Sequence, residues 1–165
     1  MIYLIEGPVG AGKSTYARQL SERHSALHLN LDEWMVVLFR PDRPEVDFLR
    51  WYNERKQRCI EQIWAIALKC NLVEIAVVLE LGLVQQADRV AFYDRAADAD
   101  LDLQVVVLDA PREERMARVQ TRNVEQGDTF QMLVSDEIFA IADAAWQAPD
   151  DKELALQSIV MIDTA

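Results

Sequence analysis

"MIYLIEGPVGAGKST", residues Met1 to Thr15, decides the fold. The apolar run Ile2 to Glu6 reads as a short strand, and from Gly7 the pattern G-x-x-x-x-G-K-[ST] is complete. Each residue type has a mechanical reason. Gly7, Gly10 and Gly12, with Ala11 between them, let backbone N–H groups turn inward around phosphate oxygens, and the helix that follows adds its positive N-terminal end. Lys13 is expected at the β- and γ-phosphates, the Ser14 hydroxyl at Mg²⁺ and Thr15 beside the α-phosphate. Strand, loop and helix together predict a nucleotide site and leave open what happens to the γ-phosphate.

Outward from this stretch, strands and helices alternate. "ALHLNL" (26–31) is a second strand candidate ended by Asp32, residues 33–39 allow one or two helical turns, and "RPDRPE" with its two prolines must be a loop. From Asp47, a possible N-cap, to Lys69, apolar residues recur near helical period, predicting one long helix. "NLVEIAVVLELG" (71–82) is apolar on both faces, as a central parallel strand should be. A helix over 84–97, the strand "LQVVVLD" (103–109), a helix over 112–122, the polar loop "NVEQGDTFQM", a helix over 135–145 and the strand "SIVMID" (158–163) complete the reading. Such alternation predicts five parallel strands with helices on both faces, and 165 residues suit a single domain over 1–165.

Composition narrows the function. A chain of net charge −11 is a poor match for a groove that binds long nucleic acid, which needs clustered Lys and Arg, so a small-molecule partner is favoured. The longest apolar run is broken by Glu80, no stretch has the length of a membrane span, and no basic leader precedes the first strand; the expectation is a cytoplasmic protein that avoids membranes. Cys59 and Cys70 are expected as reduced, packed thiols. A GTPase of the Ras type would carry N-K-x-D, and a motor would end its third strand in Asp-Glu. Neither is present.

A small kinase needs less: a Mg²⁺ site, a carboxylate for the acceptor hydroxyl, and arginines for the transferring phosphoryl group. Asp32, at the end of the second strand and 19 positions after Lys13, falls where the carboxyl ends of parallel strands line a ligand crevice; capping the next helix is its competing role. Glu80, in the most apolar strand, is the candidate for Mg²⁺ through water, with a structural ion pair as alternative. Of Arg112, Arg115, Arg118 and Arg122, the pair Arg118 and Arg122 lies closest to a loop that could close over nucleotide. Arg40, Arg43, Arg50, Arg55, Trp51 and Tyr52 suit either an acceptor region or an amphipathic helix.

The order "LNLDEW", "VVLELG", "QQADRVAFYDRA", "LDAPREERMARVQTRN" and "WQAPDDKE" resembles the small P-loop kinase group of polynucleotide kinase, chloramphenicol phosphotransferase and zeta toxins, above all its AAA-domain kinase members. The resemblance spans nearly the whole chain. It implies a three-layer P-loop NTPase fold of kinase type, with ATP and Mg²⁺ as cofactors and transfer to a hydroxyl. By it, Asp32 is the base, Lys13 and Ser14 serve the phosphates and metal, and Arg118 and Arg122 belong to the lid. In polynucleotide kinase an arginine stands three residues after that aspartate, and here the position is Met35. Glu80 stands where relatives carry Asp. An RNA-end or nucleotide-sugar kinase, or a nucleotide-binding module with slow ATPase activity, are the competing readings.

Overall fold

The computed structural model describes residues 1–127, 130 and 132–165. Its sheet has five strands, all parallel: β1 (Ile2–Glu6), β2 (Leu27–Asn30), β3 (Val77–Glu80), β4 (Leu103–Asp109) and β5 (Ile159–Asp163), in the order β2-β3-β1-β4-β5. Between them lie α1 (Lys13–His24), α2 (Leu31–Leu38), α3 (Phe48–Leu72), α4 (Gln86–Asp98), α5 (Arg112–Glu125), α6 (Asp136–Ala145) and α7 (Asp151–Leu156). The expected α/β class with a five-stranded parallel sheet is therefore correct.

Strand alternation sorts the side chains into two cores. Ile2 and Leu4 of β1, Leu29 of β2, Val77 and Leu79 of β3 and Val105 and Val107 of β4 pack with α2, α3 and α4. Ile5, Val78, Val106 and Leu108 face the other way, against Ala17 and Leu20 of α1. This period of two fixes which residues share a face at the carboxyl ends of the strands. Glu6 continues the Ile2–Leu4 side. Glu80 and Asn30, paired in register, fall on the α1 side with His28. On α3, Cys59, Ile60, Ile63, Trp64, Ala67 and Cys70 form one buried stripe, and both cysteines are free thiols as expected.

Several boundaries differ from the sequence reading. α3 runs on to Leu72, and β3 occupies only the end of the apolar run expected as strand, because Leu72, Val73 and Ile75 stay exposed. Asp47 does precede α3, but with φ of 55° and no side-chain cap. The N-cap of α2 is Asn30, whose Oδ1 accepts from the N–H groups of Asp32 and Glu33, so Asp32 is freed from the capping role. A 3-10 turn at Arg40–Asp42 and helix α7 were not expected. The expected loop at 123–132 is helical as far as Glu125, and 128, 129 and 131 lie outside the described residues. Among the described residues no helix is long and apolar enough to cross a membrane.

Candidate active site

The loop between β1 and α1 sits on the sheet at the switch point where β1 is flanked by β3 and β4. Two of its glycines are obligatory. A Cβ on Gly7 would stand 2.2 Å from the Leu108 carbonyl oxygen, and one on Gly10 would stand 2.5 Å from that of Arg115; both have positive φ. Ala11 is wholly buried against the α1-side core, and Gly12 in a left-handed conformation opens α1. The Lys13 ammonium donates to the carbonyls of Gly7 at 2.9 Å and Pro8 at 2.8 Å. Burial holds its pKa below the ordinary lysine value, while the carboxylates of Glu80, Glu6 and Asp32 act in the opposite direction. Thr15 is exposed on the first turn of α1.

Beside Lys13, the Ser14 hydroxyl donates to Glu80 Oε2 at 2.9 Å. The other oxygen, Oε1, accepts from His28 Nε2 at 2.7 Å and from Asn30 Nδ2 at 3.2 Å. Glu80 is thus held from three sides, and its ion-pair partner is His28. Sequence reasoning missed His28; the alternation that faces Asn30 toward Glu80 brings His28 to the same side. Ser14 and Glu80 fit Mg²⁺, one hydroxyl and one carboxylate, since this ion takes few protein ligands and completes its shell with phosphate and water. No cluster of three or more His, Cys, Asp or Glu able to hold a metal occurs among the described residues.

Asp32 rises from the first turn of α2 into the same space. Solvent reaches it, yet protein crowds the cleft around it, and that crowding lifts its carboxyl above the usual range against the pull of Lys13, Lys56 and Arg122. Arg122 carries a buried Nε without a partner, and burial lowers its pKa while Asp32 raises it. The four arginines of α5 therefore separate. Arg112 pairs with Asp143, and Arg115 binds Asp143 at 2.7 Å and the Val9 carbonyl at 3.1 Å, bracing the phosphate loop against α6. Arg118 turns to the carbonyl and hydroxyl of Thr164, whose hydroxyl also lies 3.2 Å from the Ala11 carbonyl. Arg122 acts electrostatically on Asp32 and Lys13, while Arg118 is held at Thr164.

Glu6 was read as no more than a strand end. It is 1% exposed, Oε1 has no hydrogen-bond partner, and the Leu83 N–H donates to the carboxyl. Burial pushes its pKa up to about 8, against the opposing charges of Lys13, Arg89 and Lys56. A carboxyl whose pKa rises on folding favours the fold when protonated; that stability is whole below the unfolded value of 4.5 and drains as pH climbs to about 8. Glu6→Gln removes this slope. The melting temperature of the variant is expected to gain on the parent between pH 5 and pH 8, and a pH-independent difference would exclude a buried neutral Glu6.

The architecture has many solved relatives. A candidate kinase from Chloroflexus aurantiacus aligns with TM-score 0.70 at 16% identity, covering 99% of this chain and 84% of that one. Kti12 from Chaetomium thermophilum, solved with ADP-AlF3, gives TM-score 0.68 at 14% identity, covering 99% and 89%. A gluconokinase from Sinorhizobium meliloti gives 0.63 at 16% identity, covering 99% and 82%. At these identities the likeness speaks for the fold. No curated protein sequence matches the chain. The model of the AAA_33 family, an AAA domain, matches residues 2–145 and so takes in the phosphate loop, Asp32, Glu80 and α5; the chain belongs to that family of P-loop kinase-like proteins.

Proposed function

We propose that this protein is an ATP- and Mg²⁺-dependent phosphotransferase acting on a hydroxyl of a small molecule, with Asp32 as the group that takes or orients the hydroxyl proton. The observation that carries this reading is the position of Asp32. Its carboxyl is free of capping duty and stands in the joint field of Lys13 and Arg122, across from the Ser14–Glu80 bond. Fold neighbours described as a gluconokinase, a sugar kinase and an APS kinase support the reaction class, and those solved with AMPPNP, ADP-AlF3 or dATP support nucleotide use.

In this reading Lys13 leaves the loop carbonyls for the phosphates and Ser14 and Glu80 hold the metal. Bound Mg²⁺-ATP supplies the phosphoryl group with its charge partly neutralised. Arg122 steadies negative charge between donor and acceptor, and Arg118 acts on the phosphate loop through Thr164, whose hydroxyl donates to the Ala11 carbonyl. Asp32 fixes the acceptor oxygen in line, and the rest is positioning and electrostatics. A cytoplasmic setting and a single domain over 1–165 accompany the proposal.

The test is transfer from γ-labelled ATP to pooled metabolites, antibiotics and 5′-hydroxyl oligonucleotides, with Lys13→Ala as the blank. Labelled small-molecule product from the parent and none from the blank is the expected result. Labelling confined to oligonucleotides would favour an RNA-end kinase, and silence across all pools a slow ATPase or nucleotide-binding module.

A further inference from the structure

Glu80 carries the metal side of the proposed site, and its two oxygens are held unequally. Oε1 accepts from His28 Nε2 at 2.7 Å and from Asn30 Nδ2 at 3.2 Å, so both of its lone-pair directions are met by side chains of β2. Oε2 accepts from the Ser14 hydroxyl at 2.9 Å and keeps a second direction on the side of the phosphate loop. Register builds this clamp. Asn30 and Glu80 are partners across β2 and β3, and His28 stands two residues earlier on the same face.

Asn30 is 4% exposed and Glu80 6% exposed, so protein rather than water supplies these donors. The terminal torsion of a glutamate is broad, and a carboxylate gripped at one oxygen from two directions cannot turn about it without giving up a hydrogen bond. Asn30 also works from its other end. Its Oδ1 accepts from the N–H groups of Asp32 and Glu33 and fixes the start of α2. One amide therefore joins the carboxylate on the metal side to the backbone from which Asp32 rises.

We propose that His28 and Asn30 are positioning residues for the metal: by filling Oε1 they leave Oε2 of Glu80, beside Ser14, for the shell of Mg²⁺. The inference rests on the Mg²⁺-nucleotide part of the reading above. Both side chains act through Glu80, and neither enters the chemistry. Donors that orient a metal-binding carboxylate typically change metal affinity by about 10- to 100-fold.

The test reads metal binding rather than turnover. Mn²⁺ serves as a paramagnetic probe, and its affinity for the AMPPNP-loaded whole chain is measured by electron paramagnetic resonance, with AMPPNP affinity in EDTA and the melting temperature alongside. His28→Leu is expected to weaken Mn²⁺ about tenfold or more while metal-free AMPPNP affinity stays within about twofold. His28→Gln, which returns an amide donor near the place of Nε2, should recover most of that loss. Asn30→Ser keeps an oxygen that caps α2 but lacks the amide that donates to Glu80, so it should weaken Mn²⁺ with the melting temperature nearly unchanged. Parental Mn²⁺ affinity in His28→Leu or Asn30→Ser, a loss that His28→Gln does not recover, or an equal loss of metal-free AMPPNP affinity overturns the proposal. Failure of the kinase reading is read separately. A parent that binds Mn²⁺ with AMPPNP, loses it in His28→Leu and yet labels no acceptor keeps the clamp and loses the phosphotransferase. A parent that adds nothing to the Mn²⁺ affinity of free AMPPNP overturns the clamp, whatever the acceptor screen gives.

Discussion

Asp32→Asn is expected to lower phosphoryl transfer by about 10² to 10⁴ while nucleotide affinity stays within about twofold, the range for losing a positioned proton acceptor. The substitution is nearly isosteric, and the Asn30 cap acts on the Asp32 backbone N–H, so α2 keeps its start. Its carboxylate charge is what disappears, and Lys13 and Arg122 lose a counter-charge. The pH profile separates this from misplacement. Because crowding raises the Asp32 pKa, the acid limb of the parent's rate profile should lie above the ordinary carboxylate range, and the variant should lack that limb. Single-turnover transfer with nucleotide binding measured alongside checks both. An asparagine variant with parental transfer would remove Asp32 from the mechanism.

Arg89→Met should be the most damaging single change to stability. Arg89 and Glu153 are each fully buried, joined by Nε–Oε1 at 2.6 Å and Nη2–Oε2 at 2.7 Å, with the Tyr93 hydroxyl on Oε1 at 2.8 Å. Arg89 also donates to the Leu83 and Val84 carbonyls and lies over Trp146. Burial would raise the Glu153 carboxyl, but bonds from Arg89 and Tyr93 hold it below its ordinary value. Removing one partner leaves a charge uncompensated in the interior, at about 3–5 kcal/mol. For a chain of this size that corresponds to a melting temperature lower by about 10 °C. The double variant Arg89→Met/Glu153→Leu should recover most of it, because neither charge then remains buried. Melting curves at pH 7 decide the matter, and a double variant as unstable as the single one would refute the ion-pair account.

The strand–loop–helix at the amino terminus and the run Leu103 to Arg122 were legible because periodicity and punctuation agree there. The run from Asn71 to Gly82 misled because its apolar content begins before its burial does. Cys70 and Leu72 still belong to α3, and Glu74, in a left-handed conformation, makes the turn toward β3. Helix α7 is too short to establish a period, yet Asp150 followed three residues later by Glu153 was an available capping signal. In the site, Lys13, Ser14, Glu80 and Asp32 converge because all stand at carboxyl ends of strands or in the first turns after them. Glu6 and His28 were missed for another reason. Neither carries a motif, and their meaning comes from which face of the sheet they share with a neighbour distant in sequence.

The contact between Arg89 and Glu153 also redraws the limits of the folding unit. The match to the family ends at residue 145, eight positions short of the carboxylate that neutralises a guanidinium inside the matched region. A fragment cut at the family boundary would keep every residue of the phosphate loop and acceptor cleft, and would strand a cation in its own core. For this chain the matched region and the length of polypeptide that closes the core are therefore expected to differ.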